Sequence, residues 1–81
     1  ENKDVLLSPT EYEILHYMMQ NRGRLITFDD LYSAVWHQSS IGDVRTVFVH
    51  IRNLRKKIET DPSNPEYIIT QRHDGYIFVA E

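Results

Sequence analysis

Eighty-one residues can bury one modest core but not two, and the absence of cysteine removes disulfides and thiolate metal sites as staples. An apolar content of 41% with three prolines and three glycines fits a globular fold, while the net charge of −3, taken alone, argues against a nucleic-acid partner. No apolar run nears membrane-spanning length and the start ENKD (1–4) does not read as a signal peptide, so a soluble cytoplasmic domain with no membrane partner is expected.

In chain order, the first helix is predicted over residues 9–21. Ser8 is placed to cap it, Pro9 suits its first position, and Glu11 completes a capping box. Tyr12, Leu15, Met18 and Met19, with Ile14 nearby, supply an apolar face, and Gly23 suits a left-handed residue past the helix end. Leu25-Ile26 reads as a short extended link. Thr27 opens a second helix over 28–36, with Asp29 and Asp30 favourable in its first turn. Leu31, Ala34 and Val35 are expected to face the core, and Trp36 closes the segment. Residues 37–42 form a polar loop, and Asp43 can cap a third helix.

That helix, predicted over 43–59, holds five of the nine Lys and Arg residues between Arg45 and Lys57, with no Asp or Glu among them. Val47, Ile51, Leu54 and Ile58 recur at offsets of four, three and four, and Val44 joins the same stripe. The opposite side of the helical wheel carries Arg45, Val49, Arg52, Asn53 and Lys56, with Thr46 and Lys57 flanking. The rest of the chain holds four basic and twelve acidic residues, a balance of −8. A cationic helix on an otherwise acidic domain suggests a partner with a regular anionic groove, double-stranded DNA first. The bland alternative is a solvated surface, but such helices usually intersperse Glu to form pairs three or four residues apart.

Beyond it, DPSNP (61–65) cannot continue a helix. Two β-prone runs, 67–71 and 76–79, are joined through RHDG (72–75), where Asp-Gly is a hairpin signal. The predicted hairpin covers about 67–80. Three helices and a C-terminal hairpin wing make a mainly α, winged helix-turn-helix arrangement, as a single domain over 1–81. The six-residue loop before the third helix is longer than the usual tight turn.

Taken together, LLSPTEYEIL (6–15), NRGRLITFDDLYSAVW (21–36), GDVRTVFVHIRNLRKKIE (42–59), DPSNPEYI (61–68) and GYIF (75–78) resemble the effector domains of OmpR/PhoB-type response regulators. The resemblance runs from Leu6 to about Val79. It implies a bacterial transcription regulator of a two-component phosphorelay, in which a receiver domain, phosphorylated on Asp by a sensor kinase, precedes the DNA-binding effector. No receiver lies in this chain, which is therefore either the output half of a longer protein or a free-standing one. The family also has an N-terminal four-stranded sheet; only residues 4–7 would remain of it, so it is expected to be truncated or absent. Members commonly have the long 37–42 loop, and some use it to touch RNA polymerase. Two domains usually occupy direct-repeat half-sites in tandem, and this fragment alone is expected to be monomeric.

Alignment with the family implies that Val49 and Asn53 face bases, and that Arg45, Thr46, His50, Arg52 and Arg55 meet the DNA backbone. Asn53 replaces an Arg of some relatives. Arg pairs best with guanine and Asn with adenine, so adenine is expected where those relatives read guanine. Val49 either meets a thymine methyl or is a stray surface valine. Trp36 matches a position whose indole contacts the DNA backbone, and packing at the helix end is an equally good reading. The wing is expected to bring Arg72 to the minor groove or its phosphates, with Thr70 and Tyr76 beside it. His73 and Asp74 stand where relatives have Gly and a small or apolar residue, which predicts weaker or more pH-sensitive wing contact. His16 reads as a boundary residue of the first helix and His37 as a loop residue.

An enzyme would need a convergent polar constellation. His16, His37, His50 and His73 lack metal-ligand spacing, and Gly23, Gly42 and Gly75 form no phosphate-cradling loop, so neither catalysis nor a cofactor is expected. A protein-interaction winged helix holding an acidic partner is the main rival to DNA. RNA ranks below both, because the narrow major groove of A-form RNA does not admit a helix.

Overall fold

The capping box is formed. In the computed structural model, which describes residues 6–37 and 45–79, the Ser8 hydroxyl accepts from the Glu11 amide at 3.2 Å. Glu11 Oε1 accepts from the Ser8 amide at 3.0 Å, and the helix so started is α1 (Pro9–Gln20). A cap of this kind is worth about 1 kcal/mol. The buried stripe of α1 differs from the expected one: Ile14 and Met18 are sealed, whereas Tyr12 and Met19 are exposed. Apolar residues surround much of this helix, so several stripes were compatible with its periodicity. The one that faces inward runs through Glu11, Ile14 and Met18, spaced three and four apart.

The stretch read as an extended link is a strand, β1 (Leu25–Thr27). It leads directly into α2 (Phe28–Trp36), whose first turn is capped by the Thr27 hydroxyl accepting from the Asp30 amide at 3.0 Å. Leu31 and Val35 are buried and Ala34 is half-buried. His37 ends the helix in the left-handed region at φ 62. Asp43, Val44 and most of the 37–42 loop lie outside the described residues, as do residues 4–5 of the expected N-terminal strand; Leu6 and Leu7 are not in a strand.

Helix α3 (Arg45–Ile58) buries Val47, Ile51 and Leu54, with Ile58 packed at the core margin. Strands β2 (Ile68–Gln71) and β3 (Gly75–Phe78) pair antiparallel as expected. However, β3 also pairs antiparallel with β1, so the sheet has three strands in the order β1-β3-β2. Gly75 makes this possible. It opposes both Thr27 and Gln71, and a Cβ there would lie 2.0 Å from the Ile26 carbonyl oxygen. The Asp-Gly pair is thus not the centre of the turn. The chain reverses two residues earlier, over Arg72 and His73, with the Asp74 amide donating to the Gln71 carbonyl at 2.9 Å and His73 at φ 65. The core gathers residues from every element: Ile14 and Met18, Ile26, Leu31 and Val35, Val47, Ile51 and Leu54, then Ile68, Tyr76 and Phe78.

Candidate nucleic-acid interface

Because the stripe Val47, Ile51, Leu54 is consumed by the core, α3 must turn its other side outward. Arg45, Val49, Arg52 and Lys56 are exposed there, and Thr46 and Asn53 are half-buried beside them. Val49 is 55% exposed, an apolar side chain among cations. Four of the expected DNA-facing residues, Arg45, Val49, Arg52 and Asn53, therefore share one outward surface. Arg72 is exposed in the turn between β2 and β3.

The α2 side of α3 is lined by rings. Trp36 stacks on Tyr32 with centroids 5.1 Å apart and meets the His50 ring edge-on at 5.3 Å. Both readings of Trp36 survive, since the ring packs yet stays half-exposed. His50 Nδ1 lies 2.8 Å from the Thr46 carbonyl oxygen, to which it must donate. That bond selects the tautomer, so Nε2 of a neutral ring carries no proton.

On the wing side, one residue expected on the surface faces inward and two others are engaged within the protein. Tyr76 is only 4% exposed, its ring edge-on to Phe28 at 5.3 Å, and burial raises the pKa of its hydroxyl against the opposing charge of Arg55. It alternates with Ile77 along β3 and falls on the core side, so it does not line the wing surface. Arg55 Nη2 donates to the Ile68 carbonyl at 2.7 Å and to Thr70 Oγ1 at 2.8 Å. Its guanidinium carbon sits 5.6 Å from the Tyr76 ring centroid. The Thr70 hydroxyl is accordingly engaged within the protein.

Lys57, expected beside the polar face, turns instead to α1, where Nζ donates to Glu11 Oε1 at 2.6 Å. That bond first, and the Ser8 amide second, hold the Glu11 carboxyl below its ordinary range. The sequence reading also missed Glu59, a buried carboxylate that accepts from the backbone amides of Glu66, Tyr67 and Ile68 and so ties the end of α3 to the start of β2. Phe48, 41% exposed and edge-on to Phe28 at 5.1 Å, was a further omission. Its spacing of seven from Arg55 was the available signal, because it puts both on one flank.

Among the described residues no cluster of His, Asp or Glu could hold a metal ion, and no helix is long and apolar enough to cross a membrane. A shallow cleft of about 330 Å³ between α1 and α2 is lined by Tyr12, Glu13, His16, Tyr17, Gln20, Ala34 and His37, away from α3.

The family described as transcriptional regulatory protein, C terminal, matches residues 2–78. Among solved structures, the Klebsiella pneumoniae RstA DNA-binding domain in complex with the RstA box is 30% identical, with a TM-score of 0.87 over 95% of this chain and 76% of that one. DrrB of Thermotoga maritima, an OmpR/PhoB homologue and response regulator, is 35% identical with a TM-score of 0.86; the match covers 96% of this chain but 35% of DrrB. The AdeR response-regulator DNA-binding domain, in complex with an intercistronic region, is 29% identical, with a TM-score of 0.76 over 96% of this chain and 79% of that one.

Proposed function

The chain belongs to the transcriptional regulatory protein C-terminal family, whose solved relatives include OmpR/PhoB-type regulators, and from that premise we propose that it binds double-stranded DNA sequence-specifically as the output domain of a two-component response regulator. The observation that carries this reading is the outward surface of α3. Arg45, Arg52 and Lys56 are exposed, Asn53 and Val49 lie between them, and the helix contains no carboxylate.

In this reading the single winged-helix domain lays α3 in the major groove. Val49 and Asn53 meet base edges, and Arg45, Arg52, Thr46, His50 and Trp36 meet the backbone. Arg72 reaches the minor groove or its phosphates. Tyr76 supports the wing from within, and Thr70 does so through its bond to Arg55. Neither catalysis nor a cofactor is part of the proposal. The receiver would precede this domain in a longer bacterial, cytoplasmic protein, and the sensor kinase that phosphorylates it would be a separate partner. Two such domains would sit on direct-repeat half-sites, with the 37–42 loop available to RNA polymerase, while the fragment alone stays monomeric.

Selection of bound duplexes from a random pool, followed by titration against salt, tests the function. Several phosphate contacts require log affinity to fall steeply and linearly with log salt, through counterion release. Failure to select any duplex at low salt would refute the proposal and favour a protein partner. In the same selection, Asn53→Arg should move one base position from adenine to guanine, by about 1–3 kcal/mol of discrimination. An unchanged preference at every position removes Asn53 from base reading.

A further inference from the structure

The Arg55 guanidinium is committed to the protein rather than to the groove. A guanidinium offers five N–H groups. Both on Nη2 are spent, one on the Ile68 carbonyl at 2.7 Å and one on the Thr70 hydroxyl at 2.8 Å. Nε is buried without a hydrogen-bond partner among the described residues. Bidentate capture of a phosphate needs donors from two nitrogens side by side, and every such pair includes Nη2. That fork is therefore closed, and only Nη1 remains.

The two acceptors also lie at informative places. Ile68 opens β2 and Thr70 is two residues further along it. Arg72 comes two residues after Thr70, as the first residue of the turn that follows Gln71, the last residue of β2. Below this contact the Tyr76 ring closes the stack, itself supported by Phe28, which also holds Phe48 of α3. A rigid connection thus runs from the side of α3 to the strand that delivers the wing tip.

We infer that Arg55 is a positioning residue for DNA binding: it braces β2 against α3 so that Arg72 is held at a fixed distance from the groove-facing helix. This role rests on the DNA-binding reading above and replaces the direct phosphate contact that the family resemblance implies for Arg55. Planarity is essential to it. A lysine ammonium carries the same charge but cannot span the two acceptors with a pre-organised fork, so Arg55→Lys would satisfy a phosphate yet not the brace.

The test is a double-mutant cycle on this chain, with Arg55→Ala, Arg72→Ala and the double variant binding a duplex selected by the parent. If Arg55 acts through the wing, its loss and that of Arg72 overlap, and the double variant binds within about twofold of the weaker single. Removing Arg55 in the Arg72→Ala background then leaves the salt slope unchanged, and Arg55→Lys does not restore affinity. Hydrogen exchange on the free proteins supplies a readout independent of DNA. The Asp74 amide and the β2–β3 ladder should exchange faster in Arg55→Ala and Thr70→Val, with the α1 amides unchanged. Losses that multiply, a slope reduced by about one, or full rescue by Lys would overturn the brace while leaving DNA binding intact. A parent that selects no duplex would overturn the DNA-binding reading and this role with it.

Discussion

The two flanks of α3 are held by different physics. On the wing side, directional bonds reinforce the Phe48–Phe28–Tyr76 ring contacts: Arg55 to Ile68 and Thr70, and Glu59 to three consecutive backbone amides. On the α2 side the contacts are ring against ring, Tyr32 on Trp36 and Trp36 on His50, with a local bond from His50 to Thr46. Directional bonds fail when one atom is lost, whereas stacked surfaces lose area gradually. The wing side is thus held more rigidly than the helix edge bearing Trp36 and His50.

Substitutions can break this contrast. The largest expected effect is at Gly75, where Gly75→Ala forces a methyl against the Ile26 carbonyl and Thr27 Cα and should cost about 3 kcal/mol, read from the urea midpoint. A neutral result would mean that β1 and β3 need not approach so closely. Glu59→Gln comes next. It keeps the shape but replaces a charged acceptor of backbone bonds, and should cost about 2 kcal/mol in the same measurement. On the other flank, Trp36→Phe keeps a ring against Tyr32 and should cost about 1 kcal/mol. Should that loss match the one at Glu59, the distinction between the flanks disappears.

The smallest effect at neutral pH concerns the far end of α3, where Lys57 meets Glu11. The folded-state pKa of Glu11 is lowered from 4.5, chiefly by the Lys57 hydrogen bond. Its contribution is therefore fully present above about 4.5 and is lost as pH falls through the lowered folded value. Glu11→Gln should flatten the stability curve in that acid window, as followed by thermal unfolding at successive pH values. An acid limb identical to the parent's would show that Glu11 is not the titrating group.

Local chemistry made much of the molecule legible in the sequence. The Ser8 and Thr27 caps, the end of α2 at Trp36, the Val47-Ile51-Leu54 stripe and the β2–β3 hairpin depend on residues a few positions apart. Their energies are decided within a turn or two of chain. The outward surface of α3 followed from the same periodicity, since burying one stripe exposes the other.

Tertiary packing decided which way the ambivalent residues turned. Arg55 could serve a phosphate or a carbonyl equally well, and only the arrival of β2, thirteen residues on, offers it the carbonyl of Ile68. Lys57 meets Glu11 across forty-six residues, a partnership that no spacing rule encodes. Tyr76 is wing or core depending on which face of β3 meets the helices, and the β1 pairing settles that face. Long cationic and aromatic side chains have several partners of similar energy, so their choice is made by whichever acceptor or surface the assembled fold brings near.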